Sequence, residues 1–195
     1  MHGLINKAIQ SFTSDTYGSA RWLGVAEAAG LGFTDFEAML VYADRLTQNV
    51  IAALVQDLGR CRQDVLEDIG TYLVSHPHVE ALRRLLRFGG EDYVEFLHSL
   101  DDLPDRARLA VADLHLPELE LRDHAAGQFS LTCQPGIPGF GHVLMGMLRA
   151  MADDYGALVT LSHEGGDGQA DVIAIIVVEQ AFARGRDFDL GARAG

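Results

Sequence analysis

The sequence predicts an α+β fold, with a helical N-terminal half followed by β-β-α-β-β and an antiparallel sheet packed on helices. Three observations lead there. Up to about Leu103, apolar residues recur at helical spacing. Beyond Pro104, short alternating and β-branched runs take over, with one amphipathic helical stretch among them. No repeat, low-complexity tract or linker interrupts the 195 residues, a length suited to one large domain with a substantial core.

The opening MHGLINKAIQSFTSDTYG carries Leu4, Ile5, Ala8, Ile9 and Phe12 on one helical face. A helix starting so early is expected to belong to the fold rather than to a cleaved leader. Ala20, Leu23, Ala26 and Ala29 mark a second helix that Gly30 can close. Thr34-Asp-Phe-Glu37 reads as a capping box opening a third. Thr47 to Leu58 forms a fourth, stopped by Gly59, and about Asp64 to Val74 a fifth. The sixth runs from about Val79 to Phe88 and ends at Gly89-Gly90. The seventh, Glu91 to Leu103, turns Tyr93, Phe96, Leu97 and Leu100 to one side.

In the second half, Leu119-Glu-Leu121 and Phe129-Ser-Leu131 alternate as half-buried strands do. Pro138 to Tyr155 is a helix with a broad apolar face of Val143, Leu144, Met147, Leu148 and Met151. Leu158 to Leu161 and Val172 to Val178 are β-branched strands, joined by the turn-rich Glu164 to Gly168 as a hairpin. The expected organisation is a single domain over 1–182, with 183–195 a flexible tail.

Composition excludes several function classes. A formal charge of −13 opposes nucleic acid and anionic membrane surfaces as partners. No apolar run approaches the roughly 18 residues of a membrane span. Cys61 and Cys133, without CxxC spacing or a secretory leader, read as reduced thiols of a cytoplasmic protein, Cys133 in the core. No HExxH, P-loop, GxSxG or EF-hand pattern occurs. Gly136 to Gly141 (GIPGFG) lacks the lysine of a phosphate loop and reads as a strand-to-helix turn. Of eight scattered histidines only His76-Pro-His78 form a close pair, a helix-entry turn more readily than a chelate. The neighbouring pairs Asp101-Asp102 and Asp153-Asp154 read as solvated charges. Nothing here points to an enzyme.

MHGLINKAI followed by DTYG resembles the start of the haem–nitric oxide/oxygen binding (H-NOX) family, the fold of the haem domain of soluble guanylate cyclase. The resemblance continues through Tyr42-Ala-Asp44 with Thr47, then Leu66-Glu-Asp-Ile-Gly70, Phe96-Leu97 and Leu100 to Leu103. It runs on through Pro117 and Gly146 to the closing hairpin, and so covers about residues 1–180. It implies an H-NOX fold with a helical subdomain over about 1–60 and a mixed remainder that holds a ferrous haem b on one proximal histidine, with the propionates clamped by Tyr-x-Ser-x-Arg. By the same resemblance the pocket positions are Ile5, Leu73, Pro104, Pro117, Val143 and Met147, with Ile9 also on the distal side. Such an apolar lining suits a gas pocket without an oxygen-stabilising hydroxyl, a filled core, or a cavity for another small apolar ligand.

Two features depart from the family pattern. Pro104 stands where the family places the histidine; proline offers no side-chain donor and breaks or starts a helix. Aligned on Gly139 and Gly146, Cys133, Pro135 and Ile137 stand where Tyr, Ser and Arg belong. A register three residues earlier gives Ser130, Thr132 and Gln134, and neither supplies the arginine whose fork grips a carboxylate. The weak substitute iron ligands are His98, His115 and His124. Six residues turn a helix by about 600°, so His98 points away from the proximal direction. The resemblance then implies a sensory or regulatory domain that signals through a partner protein in trans, a histidine kinase or a cyclic-nucleotide enzyme. Haem binding is expected to be weak, altered or absent; the alternative is a haem-binding nitric oxide sensor using a displaced axial ligand.

Overall fold

The computed structural model describes residues 1–165 and 169–187, and over these it is an α+β fold with helices covering an antiparallel sheet. Helix α1 (Gly3–Tyr17) starts where expected because His2 caps it: its Nδ1 accepts the Leu4 N–H at 3.2 Å. The chain's amino group is tied to the Tyr42 carbonyl at 2.7 Å and to the Asp44 carboxylate at 2.6 Å. The Tyr42-Ala-Asp44 stretch thereby holds the first helix in place. Helix α2 (Ser19–Ala28) follows.

The helix expected from Thr34 is absent, and residues 31–43 are irregular apart from an isolated bridge between His2 and Val41. Aromatic packing overrides the local capping signature here. Phe36 is buried at 1 % exposure and meets Phe33 and Tyr42 edge-on, with centroids 5.1 and 4.9 Å away. The backbone groups that a helix would pair are satisfied by side chains instead. Phe36 N donates to Gln10 Oε1 at 2.9 Å and Glu37 N to the Tyr42 hydroxyl at 2.8 Å.

Helix α3 (Asp44–Leu58) ends at Gly59 in the left-handed conformation, φ 62°. It is followed by α4 (Arg62–Ser75), a 3-10 turn (Pro77–Val79) and α5 (Glu80–Arg87). The expected seventh helix is two. Helix α6 (Tyr93–His98) stops short, and Pro104, in the first turn of α7 (Leu103–Ala110), starts a new helix. Proline is favoured there because its fixed φ suits a helix start and its missing N–H would have no helical partner.

Strands β1 (Leu119–Ala125) and β2 (Gln128–Cys133) precede α8 (Phe140–Tyr155), β3 (Leu158–Glu164) and β4 (Asp171–Glu179). The sheet order is β1-β2-β4-β3, antiparallel throughout, with Leu131 opposite Ile173 and Leu161 opposite Ile175. The middle of the expected hairpin loop, residues 166–168, lies outside the described residues, as does 188–195 of the expected tail. Residues 183–187 run back along α8: Ala183 N donates to Gly156 O at 3.0 Å and Arg186 N to Asp154 O at 2.9 Å.

Asp154 corrects the reading of the acidic pairs. Asp153 is exposed, but Asp154 is 1 % exposed and ion-paired with Arg83 at 2.7 Å and Arg87 at 3.6 Å. Helical geometry turns the two neighbours to different sides, and one of them meets α5.

Two apolar cores result. One packs α1 to α4 around Phe12, Trp22, Phe36 and Leu54; the other packs α5 to α8 on the sheet around Tyr93, Phe96, Leu131 and Met151. They meet where α4 crosses α8, at two glycines. A Cβ on Gly70 would collide with the Val143 carbonyl, and one on Gly146 with the Glu67 carbonyl. Their hydrogen side chains let the two backbones touch.

An apolar cavity between the helical layer and the sheet domain

Between the cores lies a cavity of about 300 Å³. α1 supplies Leu4, Ile5, Ala8 and Ile9, α3 Thr47 and Ile51, and α4 Leu66, Ile69 and Leu73. Leu82 and Leu85 come from α5, Leu103, Ala107 and Ala110 from α7, Ile137 and Pro138 from the turn, and Phe140, Val143 and Met147 from α8. The helical periodicities explain the convergence: each of these elements turns one apolar stripe inward, and the glycine crossing fixes two of them side by side. Polar atoms contribute almost nothing to the wall. The Thr47 hydroxyl is spent on Asn6 Oδ1 at 2.7 Å, and Gln48 Oε1 accepts from Arg62 at 2.7 Å.

Of the positions singled out from the sequence, Ile5, Leu73, Val143 and Met147 line this cavity, and so does Ile9. Pro104 is buried at the start of α7 beside the lining residues Leu103 and Ala107. Pro117 is buried too, but in the wall of an adjoining cleft. The candidate histidines lie elsewhere. His98 is half exposed, edge-on to Phe129 at 5.8 Å and 3.9 Å from Asp123. His124 is exposed with its Nε2 2.7 Å from the Ser130 hydroxyl. His115 is exposed in the adjoining cleft, its Nδ1 2.9 Å from the Asp113 carbonyl. Cys133 is buried in the sheet core, where burial and the Asp171 charge push its thiol up to about 12.

His2 shares that cleft and was not singled out. It is 6 % exposed, and its Nε2 is buried without a hydrogen-bond partner among the described residues. Only the cap geometry distinguishes it from any other histidine, so no spacing signal could have found it.

A second cleft, sharing Leu66, Ile137 and Pro138 with the cavity, contains Arg62 and a histidine pair. His142 and His163 stack at 4.2 Å; His163 Nε2 lies 3.1 Å from Asp171 and His142 Nδ1 3.8 Å from Glu67. Burial, then the neighbouring His163, pull the His142 pKa below its usual 6.5, against the opposing pull of Glu67 and Asp171. A histidine whose folded pKa is lowered contributes stability above its unfolded pKa of 6.5, lost as pH falls below it. Denaturant titrations below pH 6.5 therefore lose stability more steeply in the wild type than in His142→Gln. Equal slopes for the two would refute the assignment to His142.

A helical layer and a sheet domain closing around a buried apolar pocket make a site suited to a small apolar ligand. The chain belongs to the haem-NO-binding family, whose model matches residues 2–163. It is 20% identical to soluble guanylate cyclase 89Db of Drosophila melanogaster over 155 residues, 80% of this chain and 23% of that protein. It is 23% identical to soluble guanylate cyclase gcy-31 of Caenorhabditis elegans over 154 residues, 79% of this chain and 22% of that protein. The chain thus spans about a quarter of the length of these relatives. Among solved structures, the Fe(II) unliganded H-NOX protein of K. algicida superposes with a TM-score of 0.78 at 15% identity. That match covers 94% of this chain and all of the other. The Fe(II)NO H-NOX protein of S. oneidensis gives 0.74 at 17% identity, covering 91% and 99%. At these identities the likeness shows the fold.

The residues present do not fit a haem anchored by histidine and arginine. Among the described residues, the cavity wall holds no imidazole, thiolate or phenol, and its only sulfur atoms are the thioethers of Met1 and Met147. Position 137, on the cavity wall, is isoleucine and cannot pair with a propionate.

Proposed function

We propose that this domain is a haem-independent member of its family, a sensory module that reports an apolar ligand in its cavity to a partner protein. The observation that carries this reading is the cavity itself, about 300 Å³ with an almost wholly apolar wall and Pro104 beside it. An occupant there touches both cores at once, so it favours whichever arrangement of α1 and α4 against α7 and α8 fits it. A histidine kinase or cyclic-nucleotide enzyme is the partner class that family kinship favours.

The test is an absorption spectrum of the protein before and after hemin is added and desalted, with benzene titrated against methyl resonances of Ile5, Leu73 and Val143. The expected result is no retained Soret band and saturable methyl shifts. A sharp Soret band surviving desalting, or methyl resonances indifferent to benzene, overturns the reading. The second reading, a haem-binding nitric oxide sensor with a displaced axial ligand, draws support from the unpartnered Nε2 of His2. It requires that His2→Ala abolish any retained Soret band.

A further inference from the structure

The histidine pair read as a helix-entry turn has a third member. Asp15, in the last turn of α1, is brought against His76 and His78 by the fold, 61 and 63 positions away in the chain. Its Oδ2 lies 3.0 Å from His78 Nδ1 and 3.7 Å from His76 Nδ1. One potential ligand atom from each of the three residues lies within 4.8 Å of the others. We infer that Asp15, His76 and His78 form a binding site for a divalent late-transition metal ion, Zn²⁺ foremost.

The donor set selects the ion. Ca²⁺ and Mg²⁺ take oxygen ligands, whereas two imidazoles and one carboxylate suit zinc and its neighbours in the first transition series. Four-coordinate zinc with bonds of about 2.1 Å keeps its ligand atoms about 3.4 Å apart. The two separations to Asp15 lie on either side of that value. The third edge, between the imidazoles, is closed by rotating His78, whose side chain is 72% exposed and free to turn. Three protein ligands leave a fourth position facing water, as in open zinc sites.

Local structure prepares the site. His76 is extended, φ −82° and ψ 136°, as a residue before proline prefers, and Pro77 starts the 3-10 turn that returns His78 to the same side. His76 stacks on Tyr72, with centroids 4.8 Å apart and an interplanar angle of 27°, which fixes its ring. Tyr72 donates its hydroxyl proton to Asp15 Oδ2 at 2.6 Å, orienting the carboxylate as outer-shell donors orient metal ligands. The interaction given up is weak: His76 Nδ1 accepts from the His78 N–H at 3.4 Å. Bound metal would clip the end of α1 to the end of α4, two walls of the apolar cavity.

The experiment uses the full chain stripped with EDTA and titrated with ZnCl₂ and with CoCl₂, read by calorimetry and visible absorption. Expected are one ion per chain, a Co²⁺ d–d spectrum of low-symmetry four-coordinate type, and a thermal midpoint that rises with zinc. His78→Ala, at an exposed position that leaves the fold intact, weakens binding at least about tenfold, and Asp15→Asn does likewise. Circular dichroism of the metal-free variants matches that of the wild type. No bound ion, or an affinity that both variants leave unchanged, overturns the site.

Discussion

Pro104→His is expected to give the protein a retained Soret band after hemin is added and desalted, where the wild type is expected to keep none. Position 104 lies in the first turn of α7, whose residues Leu103, Ala107 and Ala110 face the cavity at helical spacing. A side chain one turn before Ala107 lies at the edge of that stripe, close enough for an imidazole to enter the cavity. An axial ligand adds a bond to iron to the burial of the macrocycle, and a histidine nitrogen is a ligand of the kind haem proteins use, which proline cannot supply. The substitution also removes a proline well placed at a helix start, at a cost of about 0.5–1 kcal/mol, small beside the stability of a domain this size. Hemin affinity should rise at least about tenfold, about 1.4 kcal/mol of binding free energy. If Pro104→His folds normally and still loses hemin on desalting, the deficiency lies in the cavity's size and the missing arginine rather than in the axial ligand.

What could be read from the residues, and what could not, divides along local and non-local physics. The stripe of Leu4, Ile5, Ala8, Ile9 and Phe12 locates α1 because one face of one helix is a local pattern. Thr34 to Glu37 carries a local signature too, yet no helix follows, because Phe33, Phe36 and Tyr42 gain more by packing together than a turn of helix offers. Pro104 was legible as a break or a start, and it is a start. Whether apolar stripes meet tightly or leave a void depends on how helices are set against one another, so no periodicity announces the cavity. The same holds for His76 and His78: their spacing is visible, but Asp15 joins them only through the fold. Asp154 looked like its exposed neighbour until α5 brought Arg83 and Arg87 to it.

Gly146→Val should lower stability more than any other single change considered, by about 3 kcal/mol or more. The glycine has no room for even one carbon: a Cβ there would collide with the Glu67 carbonyl and lie 2.9 Å from Thr71 N, both backbone of α4. Backbone atoms cannot rotate aside as a flexible side chain can, so the two helices must separate along their whole contact. Overpacking of this kind costs about 1–3 kcal/mol, and more where the obstacle is rigid. At about 2–4 °C per kcal/mol for a chain of this length, the thermal midpoint should fall by about 10 °C. Gly24→Ala is the control. It also lies within a helix, but a Cβ there meets nothing within 4 Å. Replacing an unhindered helical glycine by alanine stabilises by about 0.5–1 kcal/mol, so the two substitutions should move the midpoint in opposite directions. Because α4 and α8 also wall the cavity, Gly70→Ala, whose Cβ would meet the Val143 carbonyl in the same way, should destabilise in the same direction and change benzene binding as well. If Gly146→Val melted with the wild type, the two backbones could not be touching at this crossing, and the junction between the two cores would have to be looser than its geometry requires.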